Sequence, residues 1–383
     1  MSKKMLEGIK VIDLSRNLAA PFATMILSDL GAEVIKVEQP VTGDDARRWG
    51  PLIGDKSGYF LSVNRGKKSV ILNLKEPGAK EKLGELIKEA DVMVDNFRPG
   101  VLDKWGITHE WVDCLNPRLI FASLTGFGHT GPYREKAAFD MVVQGYGGIM
   151  SVTGSGPNSE PTRVGISIGD LAAGLYLTIG ILADLYAREH TNQGDRLDVA
   201  MLDCQVALLE NTMIRYFASG EITKPAGNRH ASITPFEMYP SSDGYLIVCA
   251  GNEKQWGILC EIIGLPELEK DEKYYSNDKR NENHDELNVI ITSTLKKKTT
   301  KEWIDIMEGA GVPCGPVNNI KNVMENEQVL ARDMVVTVDY SDIGPVKSPG
   351  CPIKTKNYHI DVKRPAPDLG QHSKEVFGED INS

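Results

Sequence analysis

The feature that most constrains this fold is the alternation of short apolar runs with helical stretches from the first residues onward. Lys10-Val-Ile-Asp-Leu14 reads as a buried strand, Pro21 opens a helix through Leu30, Gly31 ends it, and Glu33-Val-Ile-Lys-Val-Glu38 is a second strand. Strand, crossover helix and strand make a βαβ unit, the building block of a parallel sheet. The alternation continues, with strands expected over 68–73, 90–95, 119–124 and 196–200 and a helix over 78–89. An α/β fold with a Rossmann-like parallel sheet follows. The first turn, Ser15-Arg-Asn-Leu-Ala-Ala-Pro21, contains no glycine, so the dinucleotide fingerprint is missing and nicotinamide is not an expected cofactor.

A chain of 383 residues exceeds the size at which one core usually stops growing. The texture changes near Pro225. Phe236-Glu-Met-Tyr239 and Tyr245-Leu-Ile-Val-Cys249 flank the turn Pro240-Ser-Ser-Asp-Gly244, and residues 255–309 are charged and helical in pattern until Gly311-Val-Pro-Cys-Gly-Pro316 closes them. Short strands return over 335–358. The expected organisation is a discontinuous large Rossmann-like domain, 1–222 with 330–383, and a smaller α+β domain, 223–329.

A net charge of −10 argues against nucleic acid as the main partner. The six cysteines show no C-x-x-C pair and no ligand spacing, so no metal is expected. The N-terminus lacks a leader-like apolar core, and the apolar run 171–187 is interrupted by Asp184 and short for a bilayer. A cytoplasmic protein with reduced thiols and no membrane association is expected.

Within Val164-Gly-Ile-Ser-Ile-Gly-Asp170-Leu-Ala-Ala-Gly174, Asp170 stands where a glycine-rich loop meets a long helix that is apolar nearly all round. Two readings are open. Asp170 caps the helix with its carboxylate, or it serves as a nucleophile toward an activated carbonyl, with the neighbouring glycine leaving room for approach.

Several runs occur in a characteristic order: Asp13-Leu-Ser-Arg-Asn-Leu-Ala-Ala-Pro21, Gly31-Ala-Glu-Val-Ile-Lys-Val-Glu38, Asp95-Asn-Phe-Arg-Pro-Gly100, Leu124-Thr-Gly-Phe-Gly128 and Ile168-Gly-Asp170. In these the chain resembles the family III CoA-transferases, which include formyl-CoA, acetyl-CoA:oxalate and crotonobetainyl-CoA:carnitine enzymes. The resemblance implies an interlocked-ring homodimer acting on an acyl-CoA and a carboxylic acid, with coenzyme A as the cofactor-like substrate. It implies that Asp170 is a covalent nucleophile, kept ionised by the positive end of its helix. It places CoA contacts at Asn17, Leu18, Ala19, Leu72, Asn73, Lys75, Asn96, Phe97, Arg98 and Lys104. Asp140 is assigned to substrate positioning, with a helix cap as its alternative. Gly145, Gly147 and Gly148 are candidates for close backbone approach and oxyanion donors, with a flexible turn as theirs. Arg229 and His230 are assigned to a second carboxylate on a small polar acceptor such as oxalate, against a bland surface role.

The chain also departs from formyl-CoA transferase. Gln39 and Ala137 stand where that enzyme has an arginine and a lysine, and Gly227-Asn-Arg-His-Ala-Ser-Ile-Thr-Pro235 replaces its tetraglycine lid. The racemase branch of the family carries Gly-His-Asp where this chain has Ala138-Phe-Asp140. Phenylalanine cannot move a proton, and His129, ten positions earlier, is the remaining candidate base. A catalytically silent CoA-binding protein is the reading from outside enzymology.

Overall fold

The computed structural model describes residues 3–378. Its chain divides into two compact units, one formed by 1–150, 163–219 and 327–383, the other by 151–162 and 220–326.

The first unit is built on a six-stranded sheet. The strands are β1 (Lys10–Asp13), β2 (Glu33–Glu38), β3 (Lys68–Ile71), β4 (Val92–Asp95), β5 (Ile120–Thr125) and β6 (Arg196–Ala200). All pairs are parallel, and the spatial order is β3-β2-β1-β4-β5-β6, the doubly wound order. Adjacent residues in each strand feed opposite cores, as a sheet covered on both faces requires. Val11, Val34, Val92, Val94, Ile120 and Ala122 pack on one side, while Ile12, Ile35, Met93 and Phe121 pack on the other.

Helix α1 (Ala19–Asp29) starts two residues before the proline expected to open it. Pro21 sits in the first turn, where a missing N–H breaks no helical bond. Helix α2 (Ala79–Glu89) lies on the opposite face, with Leu83 and Ile87 buried in its core. Helix α3 (Asp140–Tyr146) precedes α4 (Ile168–Thr191), which packs on α1. By length and composition α4 could cross a bilayer, yet its inner face, with Ala173, Leu177 and Ile181, belongs to the core. After β6 the chain forms two consecutive helices, α5 (Met201–Leu208) and α6 (Glu210–Ser219).

The second unit holds an antiparallel sheet of β7 (Phe236–Pro240), β8 (Tyr245–Cys249) and β9 (Cys314–Pro316). Helices α7 (Glu253–Ile262), α8 (Asn277–Glu282), α9 (His284–Leu295) and α10 (Thr300–Ala310) accompany it. Tyr239, Leu246 and Val248 meet Trp256, Leu259, Ile291 and Trp303 in one core. The chain then returns to the first unit through the hairpin β10 (Val335–Tyr340) and β11 (Gly344–Pro349) and ends, among the described residues, with α11 (Ser373–Phe377). The last strand stops at Pro349, nine residues before the 358 expected from the sequence.

Candidate active site

In a doubly wound sheet the strand order reverses beside β1, and a crevice opens at the carboxyl ends of β1 and β4. The first unit has a cleft there. It is lined by Asn17, Leu18 and Ala19 after β1, by Asn96, Phe97 and Arg98 after β4, and by Leu124, Thr125 and Gly126 at the end of β5. Trp49, Tyr59, Arg134, Lys136, Phe139 and Asp170 complete the walls.

Asp170 is the third residue of α4, not its cap. No hydrogen bond reaches its carboxylate among the described residues, and partial burial with the neighbouring Asp140 charge pushes its pKa up to about 7. Loss of solvent and the Asp140 charge thus oppose the ionised form that the helix end was expected to favour. Tyr59 shares this environment. Burial, then Asp170 and Asp140, push its hydroxyl to about 12, and its ring meets Trp49 edge-on at 5.1 Å.

The cap of α4 comes from a distant residue. Asp140, at the first turn of α3, accepts the Gly169 N–H at 2.8 Å on Oδ1 and the Gln144 amide at 2.8 Å on Oδ2. Gln144 in turn accepts the Val164 N–H at 2.9 Å. Both oxygens of Asp140 are thus engaged within the fold, it is 8% exposed, and it does not line the cleft. This favours the cap over substrate positioning, although the cap serves α4 instead of Asp140's own helix. The approach requires Gly169, since a Cβ there would sit 2.8 Å from Val143 and 3.0 Å from Asp140 Oδ1.

Gly145, Gly147 and Gly148, at the end of α3 and just beyond it, do not line the cleft. Gly145 lies inside α3, Gly147 donates to Val143 at 2.8 Å, and Gly148 donates to Gly145 at 3.4 Å. Gly147 instead lets α5 come close, because a Cβ would fall 2.4 Å from Gln205. This geometry favours a packing role for these glycines over the expected oxyanion donation.

Of the expected CoA contacts, Asn17, Leu18, Ala19, Asn96, Phe97 and Arg98 line the cleft with Asp170. Leu72 does not, because its side chain is buried in the core against Leu83 and Phe121. Asn73 bonds Glu76 at 2.7 Å. Lys75 lies 5.8 Å from the Trp105 ring centre, and that ring meets Phe97 edge-on at 5.3 Å, so Lys75 is joined to the cleft wall through an aromatic pair. Lys104 is exposed at the end of a short helix.

Sequence reasoning overlooked Arg134 and Lys136, which shortly precede the Ala137 position where a cation was missed and line the cleft. Lys136 is held in place, 3.6 Å from the Tyr133 ring centre and 3.3 Å from the Tyr146 hydroxyl. Their signal was a loop at the carboxyl end of β5, where the fold puts ligands. Gln39 turns into its own loop, bonding Thr42 at 2.5 Å and Gly43 at 3.3 Å. The His129 main-chain N–H donates to Asp198 Oδ2 at 2.9 Å, and His129 is not among the residues that line the cleft. Arg229 and His230 belong to the second unit, paired in β fashion with β7 through Arg229 and Glu237. No group of three or more candidate metal ligands exists among the described residues.

The sequence matches the CoA-transferase family III over residues 6–373. It is 41% identical to human succinyl-CoA:glutarate CoA-transferase over 377 residues, covering 98% of this chain and 86% of that protein. It is also 41% identical to acetyl-CoA:oxalate CoA-transferase of Acetobacter aceti, covering 96% and 94%. The fold resembles the crystal structure of a CAIB/BAIF family protein from Brucella suis, with a TM-score of 0.88, 37% identity and coverage of 98% and 99%. The chain belongs to CoA-transferase family III and is an enzyme that transfers CoA.

Proposed function

We propose that the enzyme moves CoA from an acyl-CoA to a short dicarboxylic acid through covalent intermediates on Asp170. The observation that carries this is the Asp170 carboxylate itself, half buried at a cleft wall and without a hydrogen-bond partner among the described residues. A carboxylate engaged by donors is stabilised and sluggish; one held in poorly solvating surroundings is a better nucleophile when ionised.

A carboxylate oxygen of Asp170 attacks the thioester carbonyl, the C–S bond breaks, and CoA leaves as thiolate. The mixed anhydride is then attacked at the aspartyl carbonyl by that thiolate, which releases the donor acid and leaves an aspartyl-CoA thioester. The acceptor carboxylate displaces CoA to form a second anhydride, and thiolate attack on the acceptor carbonyl yields the new acyl-CoA and free Asp170. No proton is gained or lost overall. Arg98, Arg134 and Lys136 supply the positive lining that a phosphorylated ligand needs, and Phe97 offers its ring to the adenine. Asp140 acts through α4, fixing the turn that carries Asp170.

Named relatives act on glutarate, oxalate, D-citramalate and mesaconate, all dicarboxylates. Oxalate is one acceptor of this class. We further propose the interlocked homodimer, supported by exposed apolar side chains in the first unit, among them Phe139, Ile179, Tyr186, Ile214 and Phe217. Six free cysteines fit a reducing cytoplasm.

The test is transfer from acetyl-CoA and succinyl-CoA to oxalate, glutarate, succinate, carnitine and 2-hydroxy acids. Dicarboxylates should react, and Asp170→Ala should react with none. Preference for carnitine, or α-deuterium exchange without any acceptor, would overturn the reading.

A further inference from the structure

The loop after β1, residues 15–17, belongs to no helix or strand, yet side chains hold nearly all its main-chain polar groups. The Ser15 N–H donates to Asp13 Oδ1 at 2.9 Å, and the Ser15 carbonyl accepts from Lys36 Nζ at 2.7 Å. The Arg16 N–H donates to Asn96 Oδ1 at 2.9 Å, and the Arg16 carbonyl accepts from Asn96 Nδ2 at 2.8 Å. The Asn17 N–H donates to Asp44 Oδ1 at 3.0 Å. Asn17 itself has a φ of 70°, a left-handed conformation that a non-glycine residue keeps only when its surroundings enforce it.

The enforcing groups are fixed in turn. Lys36 pairs with Asp44 at 2.9 Å and Lys67 pairs with Asp13 at 2.9 Å, all four with fully buried side chains and no net charge between them. Asn96 differs from these four because it comes from the other side of the cleft, on the loop after β4. Its amide spans the crevice and ties the two ligand-facing loops together, with both ends in use on Arg16. The preceding Asp95 anchors that loop from below, accepting the Phe97 N–H at 2.9 Å and the Ser123 hydroxyl at 2.5 Å.

We propose that Asn96, besides lining the cleft, is a positioning residue: it sets the shape of the acyl-CoA cleft by clamping Arg16, and contributes to affinity through the placement of Asn17, Leu18 and Phe97. The inference rests on the proposed acyl-CoA site. Two of the clamped loop's consequences are separable. Without the clamp the left-handed turn at Asn17 relaxes, and the cleft must be reordered each time ligand binds. The chemistry at Asp170, on a different element, is left intact.

The experiment compares the full-length enzyme with Asn96→Ala and with the milder Asn96→Asp, which keeps an acceptor for the Arg16 N–H and loses the donor. Three quantities are read: hydrogen exchange at the Arg16 and Asn17 amides without ligand, the equilibrium affinity for acetyl-CoA, and kcat against KM. The clamp predicts that Asn96→Ala exchanges at Arg16 and Asn17 about tenfold faster and binds acetyl-CoA about tenfold more weakly, with kcat within about twofold. Asn96→Asp should fall between. Weaker binding with unchanged exchange would make Asn96 a direct ligand contact and overturn the proposal, as would faster exchange with unchanged affinity. A wild-type enzyme that binds acetyl-CoA but transfers nothing would instead count against the proposed reaction, leaving the clamp to be judged on exchange and affinity.

Discussion

Asp13 and Asp170 are the same residue type, both withdrawn from solvent in one unit, yet they behave in opposite ways. Burial would raise the pKa of Asp13, but Lys67 and Lys36, with the Ser15 hydroxyl, hold it down at about 2. Asp170 has no such company, and burial with the Asp140 charge lifts it to about 7. The difference is one of partners, not of depth. A carboxylate with its lone pairs occupied supports the loop above it, whereas a carboxylate left unpaired is a reactive group maintained at a cost in stability.

Substitutions at the two positions should therefore separate activity from stability. The largest effect is on turnover: Asp170→Ala should lower CoA transfer by about a thousandfold or more while the protein stays folded, measured by steady-state rate and circular dichroism. Asp13→Ala should do the reverse, leaving buried Lys67 without its carboxylate partner and costing about 3–5 kcal/mol in a urea titration. Gly169→Ala presses a methyl group on Val143 and Asp140, with an expected loss of about 1–3 kcal/mol and a fall in rate as the turn bearing Asp170 shifts.

The pH dependence sharpens the contrast further. Asp170 titrates near 7 folded against 3.8 in its ordinary range, so its contribution to stability is full below 3.8 and lost as pH rises through about 7. Asp170→Asn should thus raise the melting temperature at alkaline pH and leave it unchanged below 3.8. Asp13 has the opposite sign: its contribution is full above 3.8 and lost as pH falls through about 2. In kcat/KM, activity should rise with pH through about 7 as Asp170 ionises. Asp140→Asn removes the neighbouring charge while keeping an acceptor for the Gly169 N–H, and should move that rise to lower pH. An unchanged profile would mean that another group controls it.

What the sequence made legible was local. The runs at Glu33–Glu38 and Arg196–Ala200 form strands with the bounds expected of them, because their apolar patterning and flanking turn residues act over a few positions. The ordered motifs brought Asn17, Phe97, Arg98 and Asp170 into consideration, and the fold gathers them around one cleft. What stayed hidden was long-range. Asp170 looked like a cap because Asp suits helix starts, but the capping is done by Asp140 from thirty residues upstream. Asn96 was legible as a cleft residue, but its bonds to Arg16, eighty positions away in the chain, were not. Segment 151–162 groups with the second unit although it lies between helices of the first, a relation no local pattern encodes.

The central claim is that Asp170 becomes acylated during turnover. The direct measurement is mass spectrometry of peptides from enzyme incubated with acetyl-CoA and hydroxylamine, which traps an acylated or thioesterified aspartate as its hydroxamate. The account predicts a hydroxamate on the peptide carrying Asp170, dependent on acetyl-CoA and absent in Asp170→Asn. Normal CoA transfer with Asp170 unmodified under these conditions, or a hydroxamate on a different carboxylate, would contradict it.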